Sequence, residues 1–346
     1  MTRHAVLISV DSIGIDPLGH ARPESVYAES RFLFPGGRSG DLLPLTAAPR
    51  PGALVETDVI GEHERGAIEC AITYTSIFSG QSAIDQHGLM RGLGMNEQLF
   101  RSLIAKDNLF RHFSKPCLAN AIFPAHLVFF GSSYVEDVVP RFERKAVEER
   151  LTYHGLPVIF KGAEKNGFAE LFTIAEINQN IFVHAARQAN VPLRTWSDVR
   201  QGRALTASMT HELEADFLLS FFDQQPLPRY TAKEAAGVLV RIAQEHDFTF
   251  YKYQVTDLVS HTGRVDLARQ VFAQVEDFIE TILKDTDPKE TVVAVTSDHG
   301  HLEQLSISHA HPKSKVPTWY FGPDPERVAD GLRRPEAIFH ALTSGR

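Results

Sequence analysis

The chain has 346 residues, 43% of them hydrophobic and 23% charged, which is the balance of a globular protein and excludes a disordered or fibrous one. Lys and Arg number 35 against 43 Asp and Glu, and the resulting charge of −8 excludes broad electrostatic capture of nucleic acid or anionic membrane, so an anionic substrate must be met locally. No run approaches the roughly 18–20 apolar residues of a membrane span, and two cysteines cannot form a disulfide framework, so a cytoplasmic protein of about two domains is expected.

In chain order, residues 5–10 (Ala-Val-Leu-Ile-Ser-Val) form a nearly continuous apolar run that ends at Asp11, the pattern of a buried parallel strand delivering a polar residue to its carboxyl edge. Residues 97–228 have a different texture. They show no strand-to-Asp pattern, helical stretches at Asn178–Ala189 and Leu213–Phe222, a charged connector at Arg141–Arg150 and a proline-bearing joint at Gln225–Arg229. They are expected to form a smaller α+β domain inserted into a core made of residues 1–96 and 229–346.

Beyond the joint, Thr231-x-x-Glu234 reads as a capping box opening a helix with Val238, Leu239 and Ile242 on its apolar face. Phe248–Thr256, β-branched and aromatic, predicts a second strand ending at Asp257. Leu267, Val271, Val275, Phe278, Ile279 and Ile282, spaced mostly three and four apart, predict a helix closed by Asp285-Thr-Asp-Pro288. Thr291–Ser297 predicts a third strand ending at Asp298, followed by His299 and Gly300. Strand, helix, strand is a parallel crossover, and open parallel sheets bind ligands at the carboxyl ends of their strands, where these three aspartates would meet.

Histidine sharpens the picture. Four of the 16 (His299, His301, His309 and His311) fall within 13 residues. Asp257 and His261, four apart, and the adjacent pair Asp298-His299 can each aim two ligands at a divalent cation. With Asp11 and the His309-Ala-His311 element they supply enough donors for two metal sites, the arrangement that stabilises attacking and leaving oxygens in phosphoryl transfer.

Asp11-Ser-Ile-Gly-Ile, Asp257-x-x-x-His261-Thr-Gly, Thr296-Ser-Asp298-His299-Gly300 and His311-x-x-x-x-Val316-Pro317 resemble, in order and spacing, the metal-binding motifs of the alkaline phosphatase superfamily. Within it they are most similar to the branch of cofactor-independent phosphoglycerate mutase and phosphopentomutase. The resemblance covers about 215 residues at the two ends of the chain. It implies an α/β fold, a mostly parallel sheet flanked by helices and interrupted by a cap domain. The middle segment is closer in size to the phosphopentomutase cap than to the transferase domain of the phosphoglycerate mutases.

The same resemblance implies one metal at Asp257, His261 and His311 and another at Asp11, Asp298 and His299, with two zinc or manganese ions as the cofactors. It also places the nucleophile about ten residues before the glycine of a small-residue and Gly pair; here the pair is Ser79-Gly80, and counting back reaches Cys70. Four readings of Cys70 stand: a thiolate nucleophile, a formylglycine precursor, a soft metal ligand favouring zinc, or a structural residue with catalysis lost or moved to Thr73 or Thr75. The formylglycine signal needs proline and arginine where this chain has Ile72 and Tyr74. Residues 71–78, rich in Thr, Ile and Tyr, are also compatible with a strand, so a helix there rests on the resemblance alone.

Lys313 and Lys315 are candidates for a phosphate contact, His309 for a ligand or acid/base group, His87 for an approach to the site, and Arg141, Arg144 and Arg150 for a clamp from the cap. Cys117, beside Pro116, reads as a packing residue. The expected function is two-metal hydrolysis or transfer on a small anionic phosphate or phosphonate ester. The alternatives are a phosphopentomutase-like phosphomutase and a metal-binding protein without phosphoryl transfer. No nucleic acid or membrane partner is expected, and the oligomeric state is left open.

Overall fold

The computed structural model describes residues 3–20, 22–35, 41–59, 70–83, 85, 97–121, 152–153, 156–157, 181–211, 226–305 and 312–344. Its centre is strand β1 (His4–Val10), buried at every position but the first. Strands β2 (Leu43–Pro44) and β3 (Ala53–Thr57) follow, then helix α1 (Cys70–Ser79), helix α2 (Glu97–Lys106), a 3-10 turn at Leu109–His112 and strand β4 (Pro116–Leu118). A two-residue pair, β5 (Thr152–Tyr153) with β6 (Leu156–Pro157), lies apart from the main sheet. The remaining elements are α3 (Trp196–Arg200), α4 (Ala232–Glu245), β7 (Phe248–Tyr253), α5 (Val255–Ser260), α6 (Val265–Asp285), β8 (Thr291–Thr296), β9 (Val316–Phe321), α7 (Pro325–Asp330) and α8 (Glu336–Thr343).

The seven-stranded sheet runs β2-β3-β9-β8-β1-β7-β4. Pairings β8–β1, β1–β7 and β7–β4 are parallel, whereas β8–β9, β9–β3 and β3–β2 are antiparallel, so the sheet is mixed and not the mostly parallel one expected. The antiparallel half includes β2 and β3, of two and five residues, whose periodicity is too brief to read from sequence, and β9, which carries Pro317. The β7–α6–β8 crossover forms as anticipated and passes over β1, which lies between the two strands.

Alternation along the strands builds two cores, one on each face. Val6, Ile8 and Val10 join Tyr251, Tyr253, Val293, Val295 and Trp319 under α4 and α6. Ala5 and Leu7 join Phe248, Phe250, Val292 and Ala294 under Tyr74, Ile77 and Phe78 of α1 and Ile338 of α8. Burial of that apolar set overrides the strand propensity of 71–78 and makes it a helix. Gly80, at φ +64°, ends α1 in the left-handed conformation, its N–H donating to the Ser76 carbonyl at 3.0 Å. The capping box of α4 is present: Glu234 N–H donates to Thr231 Oγ1 at 3.3 Å and the Glu234 carboxylate accepts from Thr231 N–H at 2.8 Å. Within the apolar face of α6, buried Glu276 accepts from the backbone N–H groups of Arg31, Phe32 and Leu33 and from Ser30 Oγ, which seats the 30–34 loop on the helix.

The division of the chain differs from expectation at both ends of the middle segment. Residues 97–121 and 181–211, assigned to an inserted domain within 97–228, belong to the core: β4 pairs with β7, and Leu103, Ile104, Phe110 and Phe182 pack in the same cluster as Phe248 and Phe250. Asn120 continues the edge with its side-chain amide, donating to the Lys252 carbonyl at 2.8 Å and accepting from Lys252 N–H at 2.7 Å. A three-residue strand containing a proline leaves no period to read, which is why β4 was missed. Arg141, Arg144, Arg150 and the Leu213–Phe222 stretch lie outside the described residues.

Candidate metal centre

The neighbouring strands β8, β1 and β7 bring their carboxyl ends side by side, and each delivers an aspartate there. Asp11 follows β1 directly, and Asp298 follows β8 after Ser297. The third lies further on than expected: β7 stops at Tyr253, and Asp257 sits in the first turn of α5. His261 caps the end of that helix, so the four-residue spacing places both side chains on one face, with His261 Nε2 3.6 Å from Asp257 Oδ1.

Two groups of donors converge, each with its ligand atoms within 4.8 Å of one another. The outer group is Asp257, His261 and His301; His301 Nδ1 lies 3.9 Å from Asp257 Oδ1 and its ring 4.5 Å from that of His261. Donor atoms around a tetrahedral ion with bonds of about 2.1 Å lie about 3.4 Å apart, so a small inward adjustment lets these three hold a divalent cation. The inner group is Asp11, Asp257 and His299, with His299 Nε2 3.3 Å from Asp11 Oδ1. His301 belongs to the dense histidine tract but follows no ligand spacing, which is why it received no role from sequence. His309, His311 and His87 lie outside the described residues.

Sequence reasoning missed the group at the heart of the inner side. Lys252, one residue before the end of β7, places Nζ 3.0 Å from Asp11 Oδ2 and 3.5 Å from Asp298 Oδ2, with 1% of its side chain exposed. The ammonium also lies 4.8 Å over the Tyr74 ring, and the Tyr74 hydroxyl is 2.7 Å from Ser9 Oγ. These charges set the carboxylates apart. Burial pushes Asp11 up, but Lys252 and His299 hold it below the usual carboxylate value. Burial and the repulsion of Asp11 push Asp298 above that value despite Lys252. Asp257 is held well below it, because its bonds to His261 and His301 and the charge of His299 outweigh burial.

Two loops frame the centre. Ser12, at φ 62°, turns the chain after Asp11 so that its hydroxyl donates to Asp257 Oδ1 and lies 3.2 Å from His299 Nδ1, joining the two groups. Glu303 accepts from Gly14 N–H and His301 N–H, both at 2.9 Å, and so ties the loop after β1 to the loop after β8. The approach excludes side chains: a Cβ on Gly14 would lie 2.3 Å from the Glu303 carboxylate, and one on Gly300 would lie 2.6 Å from its Oε1 and 2.7 Å from Ser314 Cβ. Burial raises the Glu303 carboxyl above its usual value although four hydrogen bonds oppose it.

Helix α1 lies against the centre. Thr73 Oγ1, buried in the first turn, donates to the Asp298 carbonyl at 2.8 Å, and Cys70 is the first residue of the helix. Thr75 is buried as well. The 312–315 loop runs beside Ile15, whose N–H donates to the Lys315 carbonyl at 2.8 Å. Lys315 Nζ lies 3.6 Å from Glu56, and Lys313 is exposed. Cys117 is buried and receives the Arg194 Nε–H at 3.2 Å, which agrees with a packing role. No helix among the described residues is long and apolar enough to cross a membrane.

The model of the metalloenzyme superfamily matches residues 222–338, the segment that carries Lys252, Asp257, His261, Asp298, His299 and His301. A 2,3-bisphosphoglycerate-independent phosphoglycerate mutase of Sulfurimonas denitrificans is 25% identical over 182 residues, 51% of this chain and 36% of that protein. One from Mesomycoplasma hyopneumoniae is 23% identical over 205 residues, 56% of this chain and 38% of its own. The chain thus spans little more than a third of the length of these curated relatives. Among solved structures, a Pyrococcus horikoshii protein aligns with a TM-score of 0.47 at 15% identity, covering 100% of this chain and 99% of that one. The alkaline phosphatase of the Antarctic bacterium TAB5 aligns at 0.42 and 12%, covering 99% and 96%. Residues 222–338 are thus similar to the metalloenzyme superfamily, whose model they match. About half of the chain is similar to 2,3-bisphosphoglycerate-independent phosphoglycerate mutases.

Proposed function

We propose that the protein is a cytoplasmic metal-dependent enzyme that transfers or hydrolyses the phosphoryl group of a small phosphate or phosphonate ester at this centre. The observation that carries the reading is the spacing of Asp257, His261 and His301, 3.6 and 3.9 Å from the shared carboxylate oxygen, at the carboxyl edge of the sheet. A divalent ion held there, zinc or manganese, would supply Lewis-acid stabilisation of the non-bridging oxygens of the substrate. His311 remains a candidate ligand from the resemblance, His309 a candidate acid/base group, and Lys313 and Lys315 candidate contacts to the phosphate.

Cys70 is the proposed nucleophile; in support, it is the first residue of α1, three before Thr73, whose hydroxyl donates to the Asp298 carbonyl. Its sulfur, as the thiolate after losing its proton to water, would form a bond to phosphorus as the bond to the ester oxygen breaks, the departing alkoxide taking a proton from water. Water in a phosphatase, or a second hydroxyl of the substrate in a mutase, would then displace the sulfur. Lys252, fixed between Asp11 and Asp298, offsets the negative charge that the pentacoordinate phosphorus adds to an acidic site. Specificity would come from an inserted domain within the middle segment, the part without a recognisable motif.

The test is a panel of phosphate monoesters and sugar phosphates assayed after chelation and after return of zinc or manganese. Metal-dependent release of phosphate supports a phosphatase, whereas an isomerised sugar phosphate without free phosphate supports a mutase. A metal-replete protein inert towards the whole panel sinks the enzymatic reading in favour of a metal-binding role. Cys70→Ala should abolish turnover; activity that is unchanged in Cys70→Ala and rises in Cys70→Ser would remove the thiol from the mechanism.

A further inference from the structure

Two divalent ions were expected from the resemblance, one of them between Asp11, Asp298 and His299. The described residues do not fit an ion shared by Asp11 Oδ2 and Asp298, because Lys252 faces both, whereas Asp11 Oδ1 and His299 belong with Asp257 to the donors that can hold an ion. Asp11 divides its oxygens, Oδ2 towards Lys252 Nζ at 3.0 Å and Oδ1 towards His299 Nε2 at 3.3 Å. Asp298, wholly buried, turns Oδ2 towards the same ammonium at 3.5 Å. A divalent ion bonded at about 2.1 Å to Asp11 Oδ2 would lie no more than about 5 Å from Nζ, with both charges out of water, where like charges repel strongly.

We infer that the ammonium of Lys252 stands in the place of the second divalent ion, so that the centre takes a single metal ion at the donors gathered around Asp257. This rests on the metal-centre reading above and deepens it: the phosphate would meet one metal ion on its outer side and a lysine built into the sheet on its inner side.

The position of Lys252 is constructed in detail. It occupies the face of β7 that carries Phe248 and Phe250, so a single charge interrupts a row that is otherwise aromatic. Its backbone is gripped on the open side by the Asn120 amide, at 2.7 and 2.8 Å. Its register partners are Ser9 of β1, and Ser9 is paired in turn with Thr296 of β8, which sets the lysine across from the strand that leads to Asp298. The Tyr74 ring of α1 lies 4.8 Å from the ammonium. A charge this enclosed does not leave with a chelator, whereas an ion at Asp257 and His261, each with 25% of its side chain exposed, can exchange.

The test is metal stoichiometry and location, read without any substrate. The full chain is stripped with chelator, dialysed against excess zinc or manganese, and measured by elemental analysis, with an anomalous-scattering map to place the ions. The expected result is one ion in the wild type, near Asp257, and one more in Lys252→Ala, within bonding distance of Asp11 and Asp298. Lys252→Asn serves as the second variant if alanine prevents folding, and a variant that folds only with the divalent ion present also supports the inference. An ion bound to Asp298 in the wild type overturns it, as does a folded variant with no more metal than the wild type. A wild type that binds no ion sinks the metal-centre reading instead; a gained ion in the variant would still sustain the role of the lysine, and its absence would end it.

Discussion

The two sides of the centre solve the same electrostatic problem in opposite ways. On the outer side Asp257 and His261 keep a quarter of their side chains in contact with solvent, and the groups that hold Asp257 in its charged form are imidazoles and the Ser12 hydroxyl. On the inner side Asp11 and Asp298 are 5% and 0% exposed, and a covalently attached ammonium answers them. Water and an exchangeable ion can serve the first arrangement. Only a fixed cation serves the second through folding, because two carboxylates left unpaired in the interior would each carry a large desolvation cost. The contrast teaches that one site can divide its positive charge between a dissociable part and a permanent one.

The largest expected break comes from Lys252→Met, which keeps the volume of the stem and removes the charge. Removing one partner of a buried pair costs about 3–5 kcal/mol, so urea denaturation of the metal-free variant should show a loss of that order, partly restored by divalent ion. Unchanged stability without metal would show that the inner carboxylates are answered some other way. On the outer side, His261→Ala should weaken metal affinity by at least about 100-fold, about 2.7 kcal/mol, when titrated calorimetrically. Its metal-free stability should stay within about 1 kcal/mol of wild type, since the lost ion pair is partly exposed. Equal damage from both variants in the absence of metal would erase the distinction between the two sides.

Within the inner side the two aspartates should not be equivalent. Asp11, held below the usual value by Lys252 and His299 against burial, is stabilising in its charged form, so Asp11→Asn is unfavourable. Asp298, raised by burial and by Asp11, is costly in its charged form, so Asp298→Asn is neutral or favourable in the metal-free protein. The two substitutions should therefore act in opposite directions at neutral pH, as the opposite shifts of the two carboxyls require. The sign with pH is definite. A carboxyl raised in the folded state lends stability at low pH that is lost as pH rises through its folded value, so the advantage of Asp298→Asn should appear at neutral pH and vanish below about 3.8. Stability curves of the two variants across that window check it, and an Asp298→Asn that loses stability at neutral pH would reverse the assignment.

What sequence revealed of this site is what local spacing encodes. Asp11 and Asp298 close apolar runs, and Asp257 and His261 lie four apart, so strand-end position and helical period betray them. His301 was visible only as part of a dense histidine tract, since its partner Asp257 is far away in the chain and no short motif joins them. Lys252 was invisible for the same reason: its carboxylates are brought to it by the order β8-β1-β7, and Phe-Thr-Phe-Tyr-Lys-Tyr reads simply as a strand. A charged residue in a strand buried on both faces is a signal that could have found it, because such a charge needs a partner somewhere. The fold shows the same limit. The long helix α6 and the central strands carry clear periods, whereas β2, β3 and β4 are short pieces fixed only by pairing with neighbours. Helix α1 was readable through the resemblance and against local propensity, because its apolar face is paid for by the sheet beneath it.

Ser12 is where the two sides of the centre touch, and it gives the smallest and most discriminating effect. Its backbone, at φ 62°, occupies the left-handed region at a cost of about 1–2 kcal/mol for a residue with a Cβ, while its hydroxyl donates to Asp257 and reaches His299. Alanine removes the hydrogen bond to the charged group, worth about 1.5–3 kcal/mol, and keeps the backbone cost. Glycine removes both, so the two losses and gains nearly cancel. Ser12→Gly should therefore be more stable than Ser12→Ala by about 1 kcal/mol in denaturant unfolding. If the hydroxyl does couple the sides, both variants should also lose metal affinity to the same extent, since Asp257 is then freed from Ser12 in each. A glycine variant that binds metal as tightly as wild type, with alanine weakened, would mean that the strained turn, and not the hydroxyl, positions the carboxylate.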